Sequence, residues 1–477
     1  MTLAFLRRPA SPELALIEAD TGETLTYAEL EGALVDAGRQ LSPGQPPASA
    51  PASEKALVFL FCRNELSAVL LYLTAIEQGH AVALLDADLD AGLKAQLLER
   101  YRPRFAWFPE GSPLPERRAQ VSPWRNGHCL RFEVAGATIH PDLALLSSTS
   151  GSTGSPRFVR SSRRAVEANA AAIAQGLGLS PADRAISSLP VFYAYGLSVL
   201  NSHLQAGASV VLSNAGAVER RFWDTIRTHQ CSSFAGVPYT YQMLSRLGFE
   251  NFDVPSLRVL TQAGGRLEPQ LVRRFHELMS ARGGRMFVMY GQTEAVARVA
   301  ILPSERLPEK LGSVGLALPG GELCIDVEAA PPGSPPGVGE VVYRGPNVMM
   351  GYADGAADLA RGDELGGELR TGDLGYLDAD GMLFITGRIK RMGKLFGLRI
   401  NLDDVENLVR ERGPAAVIEG KERLLVFCAF GDASLLDGLQ RELAARLRVH
   451  RSGFEFRRVS ELPTLASGKV DYQRLSA

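Results

Sequence analysis

Two patterns of apolar and polar positions alternate along most of this chain. Short unbroken apolar runs, "ALVFLFC" (56–62) and "HAVALLD" (80–86), are separated by helical sequence. Runs of that length bracketing a helix predict a βαβ unit. "DLALLSS" (142–148) reads as a buried strand that enters a loop rich in glycine and serine. "AVEANAAAIAQGLGL" (165–179) follows the loop closely and has helical propensity. Strand and helix then alternate through "AISSLP", a helix near 197–205, "ASVVLS", a helix near 219–229, "SSFAGVP", "LRVLTQAGG" and "MFVMYG". Alternation of this kind predicts a large α/β domain with substantially parallel sheets.

From about Gly312 the texture changes. "GELCIDVE", "GEVVYRG" and "GMLFITG" are separated by Pro/Gly clusters such as "APPGSPPGVG", which predicts a compact β subdomain over about 312–388. After "GRIKRMGK" the chain returns to α/β. "NLDDVENLVRER" is a helix, with Asn401 as its N-cap and Asp404 at its third position. A boundary near 388–391 divides the chain into a large domain, 1–388, and a smaller one, 389–477.

Composition narrows the function classes. With 45% hydrophobic and 22% charged residues among 477, the chain has ample material for a core. A net charge of -2, with no basic block, argues against nucleic acid as the default partner. No apolar run approaches the eighteen residues of a membrane span, and the N-terminal one is too short for a signal peptide. Five cysteines lie far apart without a Cys-x-x-Cys pair, which argues against zinc or a disulfide framework and for a cytoplasmic location. Only seven of the 51 basic residues are lysine, and Lys390, Lys394 and Lys469 fall in two short glycine-containing stretches near the C-terminus.

The loop itself, "SSTSGSTGSPR", admits two readings. Gly/Ser runs are commonly slack connectors. Hydroxyls and closely spaced N–H groups, freed by glycine to curl inward, also wrap polyphosphate oxygens. A strand before it and a helix after it fit the second use. There is no G-x-x-x-x-G-K-[ST], which argues against the common P-loop NTPase.

"TSGSTGSPR" (149–157) resembles the phosphate loop of the adenylate-forming superfamily of acyl-CoA synthetases, luciferases and nonribosomal-peptide adenylation domains. Other stretches follow in that family's order: "LTYAEL", "LLYLTAIEQGHAVALLD", "PVFYAYGL", "QAGGRL", "YGQTE", "RTGDLGYLDADG", "GRIKRMGKLFGLRI" and "LPTLASGK". The resemblance implies two βα-layered subdomains and a small β subdomain, followed by a small mobile α/β C-terminal domain. It also implies activation of a carboxylic acid by ATP and Mg²⁺, with pyrophosphate released and the acyl group then passed to a thiol, CoA or a carrier-protein phosphopantetheine.

Roles follow position by position from the resemblance. Thr149, Ser150, Gly151, Ser152, Thr153 and Gly154 would hold the β- and γ-phosphates, with Arg157 where the family has lysine. Gly264 and Gly265 would let backbone approach the base and the acyl group. Tyr290 would lie against adenine, beside Gly291, Thr293 would touch phosphate, and Glu294 would hold Mg²⁺, a hard cation suited to carboxylate and phosphate oxygen. Asp373 would accept hydrogen bonds from the ribose hydroxyls, joined by Arg388. Lys469 would bring a mobile cation to the α-phosphate, Lys390 would be the hinge, and Lys394 and Gly397 would serve the second step.

Phe192, Tyr193, Tyr195, Phe234 and Gly236 are placed at the acyl pocket. Amino-acid-selecting members carry Asp where Tyr193 stands, and many aryl members carry His, so an aryl or medium-sized apolar acid is the expectation. An amide-forming ligase and a catalytically idle binder stay open as alternatives, as does a carrier protein as partner.

Overall fold

The computed structural model describes residues 3, 11–42, 55–116, 118–133, 137–148, 157–331, 334–389, 391–395, 398–421, 423–447, 449–465 and 469–476. They divide into two compact units. The first comprises 1–311, 317–322 and 344–369, and the second 312–316, 323–343 and 370–477.

Two large sheets carry the first unit. In one, neighbouring strands run in the order Ala300–Leu302, Arg285–Tyr290, Val259–Gln262, Ser233–Gly236, Arg184–Ile186, Ser209–Leu212, Leu14–Glu18 and Thr24–Thr26. The pairs from Arg285–Tyr290 through to Leu14–Glu18 are parallel, and Ala300–Leu302 and Thr24–Thr26 join them antiparallel. The second sheet is centred on Leu57–Cys62, Ala81–Asp86 and Leu143–Ser148, again in parallel. Every residue of Leu57–Cys62 is buried, as a central parallel strand covered on both faces requires. The helix Leu66–Glu77 is apolar all round and buried from Leu66 to Ile76, so it is a core element and not an amphipathic cover. The expected helix start in "LTYAEL" is set by a capping box, in which Thr26 and Glu29 exchange side-chain and backbone hydrogen bonds.

The helix expected over 165–179 is Arg163–Leu177, and a strand that was not expected stands between it and the glycine- and serine-rich loop. Phe158–Ser162 forms a strand antiparallel to Leu143–Ser148, with Ser148 opposite Phe158. The helix begins only at Arg163, where Ser162 accepts a hydrogen bond from the Ala165 amide at 3.1 Å. The strands that flank the loop are therefore antiparallel neighbours, and the helix follows the second of them. The short strand Gly351–Ala353 adds to the far side of Phe158–Ser162, placing Tyr352 opposite Val159.

In the second unit, Glu322–Asp326, Gly339–Arg344, Glu368–Leu377 and Leu383–Arg388 form a four-stranded sheet, the expected β subdomain. The sequence boundary near 388–391 falls inside this unit, and 344–369 belongs to the first. "DADG" is a turn, as its residues suggest: the Asp378 carboxylate takes the amides of Asp380 and Met382, and Gly381 has φ of +76°. Farther along, Ala415–Glu419, Leu424–Cys428 and Phe454–Arg458 form a three-stranded sheet packed with the helices Leu402–Arg410 and Ala433–Leu447. Among the described residues no helix is long and apolar enough to cross a membrane.

Candidate active site

The strand Arg285–Tyr290 delivers the central residues of the first unit. Tyr290, half-buried at its C-terminal end, is followed by a tight turn in which Thr293–Ala295 make one 3-10 helix. A Cβ at Gly291 would overlap the Ala297 carbonyl, so only glycine fits where the chain folds back on itself. Val296 and Ala297 then take φ of +51° and +97°. For a β-branched residue this is a strained conformation, held only where surrounding contacts over-determine it. They do so here: Asn347 donates to the carbonyls of Ala295 and Arg298 at 2.8 Å each, and Asn169 reaches both at 3.4 Å.

The turn presents Glu294, half-buried, with its carbonyl accepting the Met349 amide at 2.9 Å. Its Oε1 accepts the Tyr352 hydroxyl at 2.8 Å. Tyr352 in turn lies under Arg157, whose guanidinium is 3.7 Å from the ring centre. Burial first, then the neighbouring Glu294 carboxylate, pushes the Tyr352 phenol above its ordinary pKa. Three residues from distant parts of the sequence thus meet: the cation that ends the glycine- and serine-rich loop, an aromatic hydroxyl and the carboxylate of "YGQTE". Tyr352 was not singled out from sequence. Its signal is faint, a single aromatic in "MMGYADG", and only the pairing of Gly351–Ala353 with the strand after the loop reveals it.

Glu294 suits a hard cation. Only one of its oxygens is engaged by protein among the described residues, so the other is available for coordination. No group of three or more His, Cys, Asp or Glu that could hold a metal ion is found among the described residues. A single carboxylate matches Mg²⁺, which commonly takes one or two carboxylates and completes its shell with phosphate and water.

Gly264, with φ of +85°, lies where a Cβ would come 3.1 Å from the Tyr193 hydroxyl. Gly265 is exposed, and its carbonyl accepts the Gln262 side-chain amide at 2.8 Å, which braces the loop after Val259–Gln262. Tyr193 and Tyr195 meet edge to face at 6.5 Å. Burial raises the Tyr193 phenol and takes Tyr195 up to about 12, so both are neutral at ordinary pH. Tyr195 donates to the Thr261 carbonyl at 3.0 Å. Phe192 packs on the main apolar core. Phe234 sits among Phe222, Trp223 and Tyr241 while also lining a partly open cavity. Gly236 answers a packing need, since a Cβ there would approach the Tyr241 ring to 2.8 Å.

In the second unit, Asp373 is 3% exposed in mid-strand, not in a turn. It lies opposite Arg388 in register and accepts its Nε at 2.7 Å. Gly372, at φ of +70°, accepts the Ile389 amide through its carbonyl and donates its own amide to Glu340. Lys469 is half-buried at the end of a loop closed by a Thr464–Val470 bridge, with its carbonyl accepting the Leu465 amide at 2.8 Å. Lys394 lies in a strand opposite Arg399. Thr149, Ser150, Gly151, Ser152, Thr153, Gly154, Lys390 and Gly397 lie outside the described residues.

Comparison with known proteins gives a concordant result. The family described as AMP-binding enzyme matches residues 6–353. A sulfoacetate–CoA ligase of Cupriavidus necator is 33% identical over 70% of this chain and 66% of its own length. An oxalate–CoA ligase of Arabidopsis thaliana is 33% identical over 56% of this chain and 52% of its own. The chain thus spans about half to two thirds of these relatives. Among solved structures, o-succinylbenzoate CoA synthetase of Bacillus subtilis bound to its acyl-adenylate superposes with a TM-score of 0.78. It is 24% identical and covers 100% of this chain and 98% of that one, a likeness of fold. The same enzyme in complex with ATP and magnesium ion gives 0.73 at 25% identity, covering 98% of each chain.

Proposed function

The chain belongs to the AMP-binding enzyme family, and we propose that it activates a carboxylic acid with ATP and transfers the acyl group to a thiol. The observation that carries this reading is the meeting of Arg157, Tyr352 and Glu294 at the end of the loop that resembles the family's phosphate loop. A carboxylate resists nucleophiles because oxide is a poor leaving group. In the proposed first step a carboxylate oxygen bonds to the α-phosphorus of ATP, and the bond from that phosphorus to the bridging oxygen breaks. Pyrophosphate leaves with the electron pair. In the second step the thiol sulfur, having lost its proton, attacks the acyl carbon and AMP departs.

The protein's part in such phosphoryl chemistry is mainly positioning and charge stabilisation. Glu294 would hold Mg²⁺, which supplies neutralisation of charge on the phosphate oxygens. Tyr352 orients that carboxylate through its hydroxyl, and Arg157 lies over the Tyr352 ring, with Asp354 3.6 Å from its Nε. Tyr290 would lie along the adenine. Asp373 would receive the ribose hydroxyls, with Arg388 as its partner cation, and Lys469 would meet the α-phosphate while the adenylate forms. Alternation between two orientations about Lys390, with Lys394 and Gly397 serving the second, completes the proposal. CoA is the preferred acceptor, because the relatives named above are CoA ligases; a carrier-protein phosphopantetheine is the other thiol. The cytoplasm is the proposed location, in keeping with five free cysteines, four of them buried.

The acceptor is tested by discharging a preformed adenylate. Incubation with CoA, a phosphopantetheinylated carrier protein or a primary amine should give a thioester with CoA fastest. Amide formation that outpaces both thiols would overturn the thiol assignment.

A further inference from the structure

Near the two pocket tyrosines one charge is buried without a counter-ion among the described residues. Arg298 is 3% exposed. Its Nη1 donates to the Ala297 carbonyl at 2.9 Å and its Nη2 to the Ser198 hydroxyl at 3.3 Å. The guanidinium lies 4.2 Å from the centre of the Tyr195 ring. Its Nε has no hydrogen-bond partner among the described residues. The titratable groups that act on it are Tyr195 and Tyr193, and no carboxylate is among them.

That arrangement is costly, because a buried guanidinium stays protonated and needs both charge and hydrogen-bond compensation. Elsewhere the same fold supplies it. Arg160, with no exposed side-chain surface, pairs with Glu364 at 2.7 Å and donates to the carbonyls of Tyr352 and Met350. At Arg298 no carboxylate does so among the described residues.

The guanidinium lines a partly open cavity with Tyr195, Ser198, His203 and Thr261, and the lining is otherwise mainly apolar, with Leu177 and Met289 among it. His203 offers no anion, for its Nδ1 contacts the Val199 carbonyl and its Nε2 the Ser233 hydroxyl, and burial lowers its pKa. The cavity is small, about 20 Å³, room for little more than a water-sized group. Only a small terminal group of an acid can reach the guanidinium there, with the rest of the acid outside the cavity. The strained Val296–Ala297 backbone and the two asparagines that hold the Arg298 carbonyl fix the residue at this point.

We propose that Arg298 is a specificity-determining residue that receives a second anionic group on the acid, so that the chain selects acids carrying two negative groups over matched monoacids. This rests on the reading of the chain as an acid-activating enzyme and sharpens the substrate class. It departs from the apolar acid expected from Tyr193 alone, because Arg298 lies four residues beyond "YGQTE" and nothing in sequence tells a buried arginine from a surface one.

The test is titration calorimetry on the full chain, without ATP, using malonate, succinate and phthalate against acetate, butyrate and benzoate. At least one diacid should bind the wild-type chain more tightly than any of the three monoacids. Arg298→Met should weaken that binding on the order of 100-fold, as for loss of one partner of a buried charge pair. Arg298→Lys, which keeps the charge and loses the fork, should retain part of it and guards against misfolding of the first variant. Equal binding of diacid and monoacid, no binding of any diacid, or an undiminished diacid affinity in Arg298→Met would each overturn the proposal. Pyrophosphate release, read on the same samples with ATP added, separates the two readings. Diacid binding without release sinks acid activation and leaves the anion site standing, whereas release driven by monoacids alone does the reverse.

Discussion

At the scale of single residues, the Tyr352 hydroxyl is the contact that most directly tunes the proposed metal carboxylate. A hydrogen bond to a charged group contributes about 1.5–3 kcal/mol, and Glu294 is only half-buried. Tyr352→Phe should therefore lower the rate of pyrophosphate release by roughly tenfold while Arg157 keeps its ring to stack on. Glu294→Gln should raise the Mg²⁺ concentration needed for half-maximal release and leave the circular dichroism spectrum unchanged. If metal dependence stayed as in the wild type, Glu294 would lose its role. Glu294 was legible because "YGQTE" is a compact string. Tyr352 and Arg298 were not, since one acts across a strand pairing and the other through burial without a carboxylate among the described residues, and neither fact is local in sequence.

Among the elements, the turn after Arg285–Tyr290 is the point where backbone and site are coupled. Gly291→Ala would drive a methyl group into the Ala297 carbonyl, and overpacking of this kind costs about 1–3 kcal/mol. A fall in the thermal midpoint together with loss of activity is expected, and an unchanged midpoint would show that the turn relaxes freely. Another element-scale effect is tied to pH. Ala56, just before Leu57–Cys62, donates its amide to the His80 ring at 3.2 Å. Burial, with Lys55 adding repulsion, pulls the His80 pKa down to about 4 from an ordinary 6.5. Between those values the unfolded chain takes up a proton that the folded chain refuses. Stability tied to His80 is thus complete above about pH 6.5 and is lost as pH falls towards 4. Urea midpoints at pH 7 and pH 5 should differ less in His80→Asn than in the wild type; equal differences would remove His80 from the acid response. Strands such as Leu57–Cys62 and Ala81–Asp86 were readable from unbroken apolar runs, whereas Phe105–Pro109, Ala119–Trp124 and Gly127–Phe132 were not singled out. The strand Phe158–Ser162 was not, because "FVRSS" is short and polar at its end, and its pairing with Leu143–Ser148 and Gly351–Ala353 supplies what its composition lacks.

For the whole molecule, family and layered α/β architecture follow from motifs in fixed order, whereas the substrate rests on side chains that meet only in three dimensions. The central claim is that one chain makes an acyl-adenylate and then spends it. Lys469 is proposed to act in the first half-reaction alone. The most direct measurement follows both halves on the wild-type chain and Lys469→Ala, with ATP, Mg²⁺, a panel of mono- and diacids, and CoA. For the wild type, AMP and pyrophosphate should appear in equal amounts and only when an acid is present. In Lys469→Ala, adenylate formation should slow by about 100- to 1,000-fold, as for a lost preorganised donor, while supplied acyl-adenylate still reaches CoA at near the normal rate. Acid-independent release of ADP and phosphate by the wild-type chain, or equal slowing of both halves in the variant, would contradict the account.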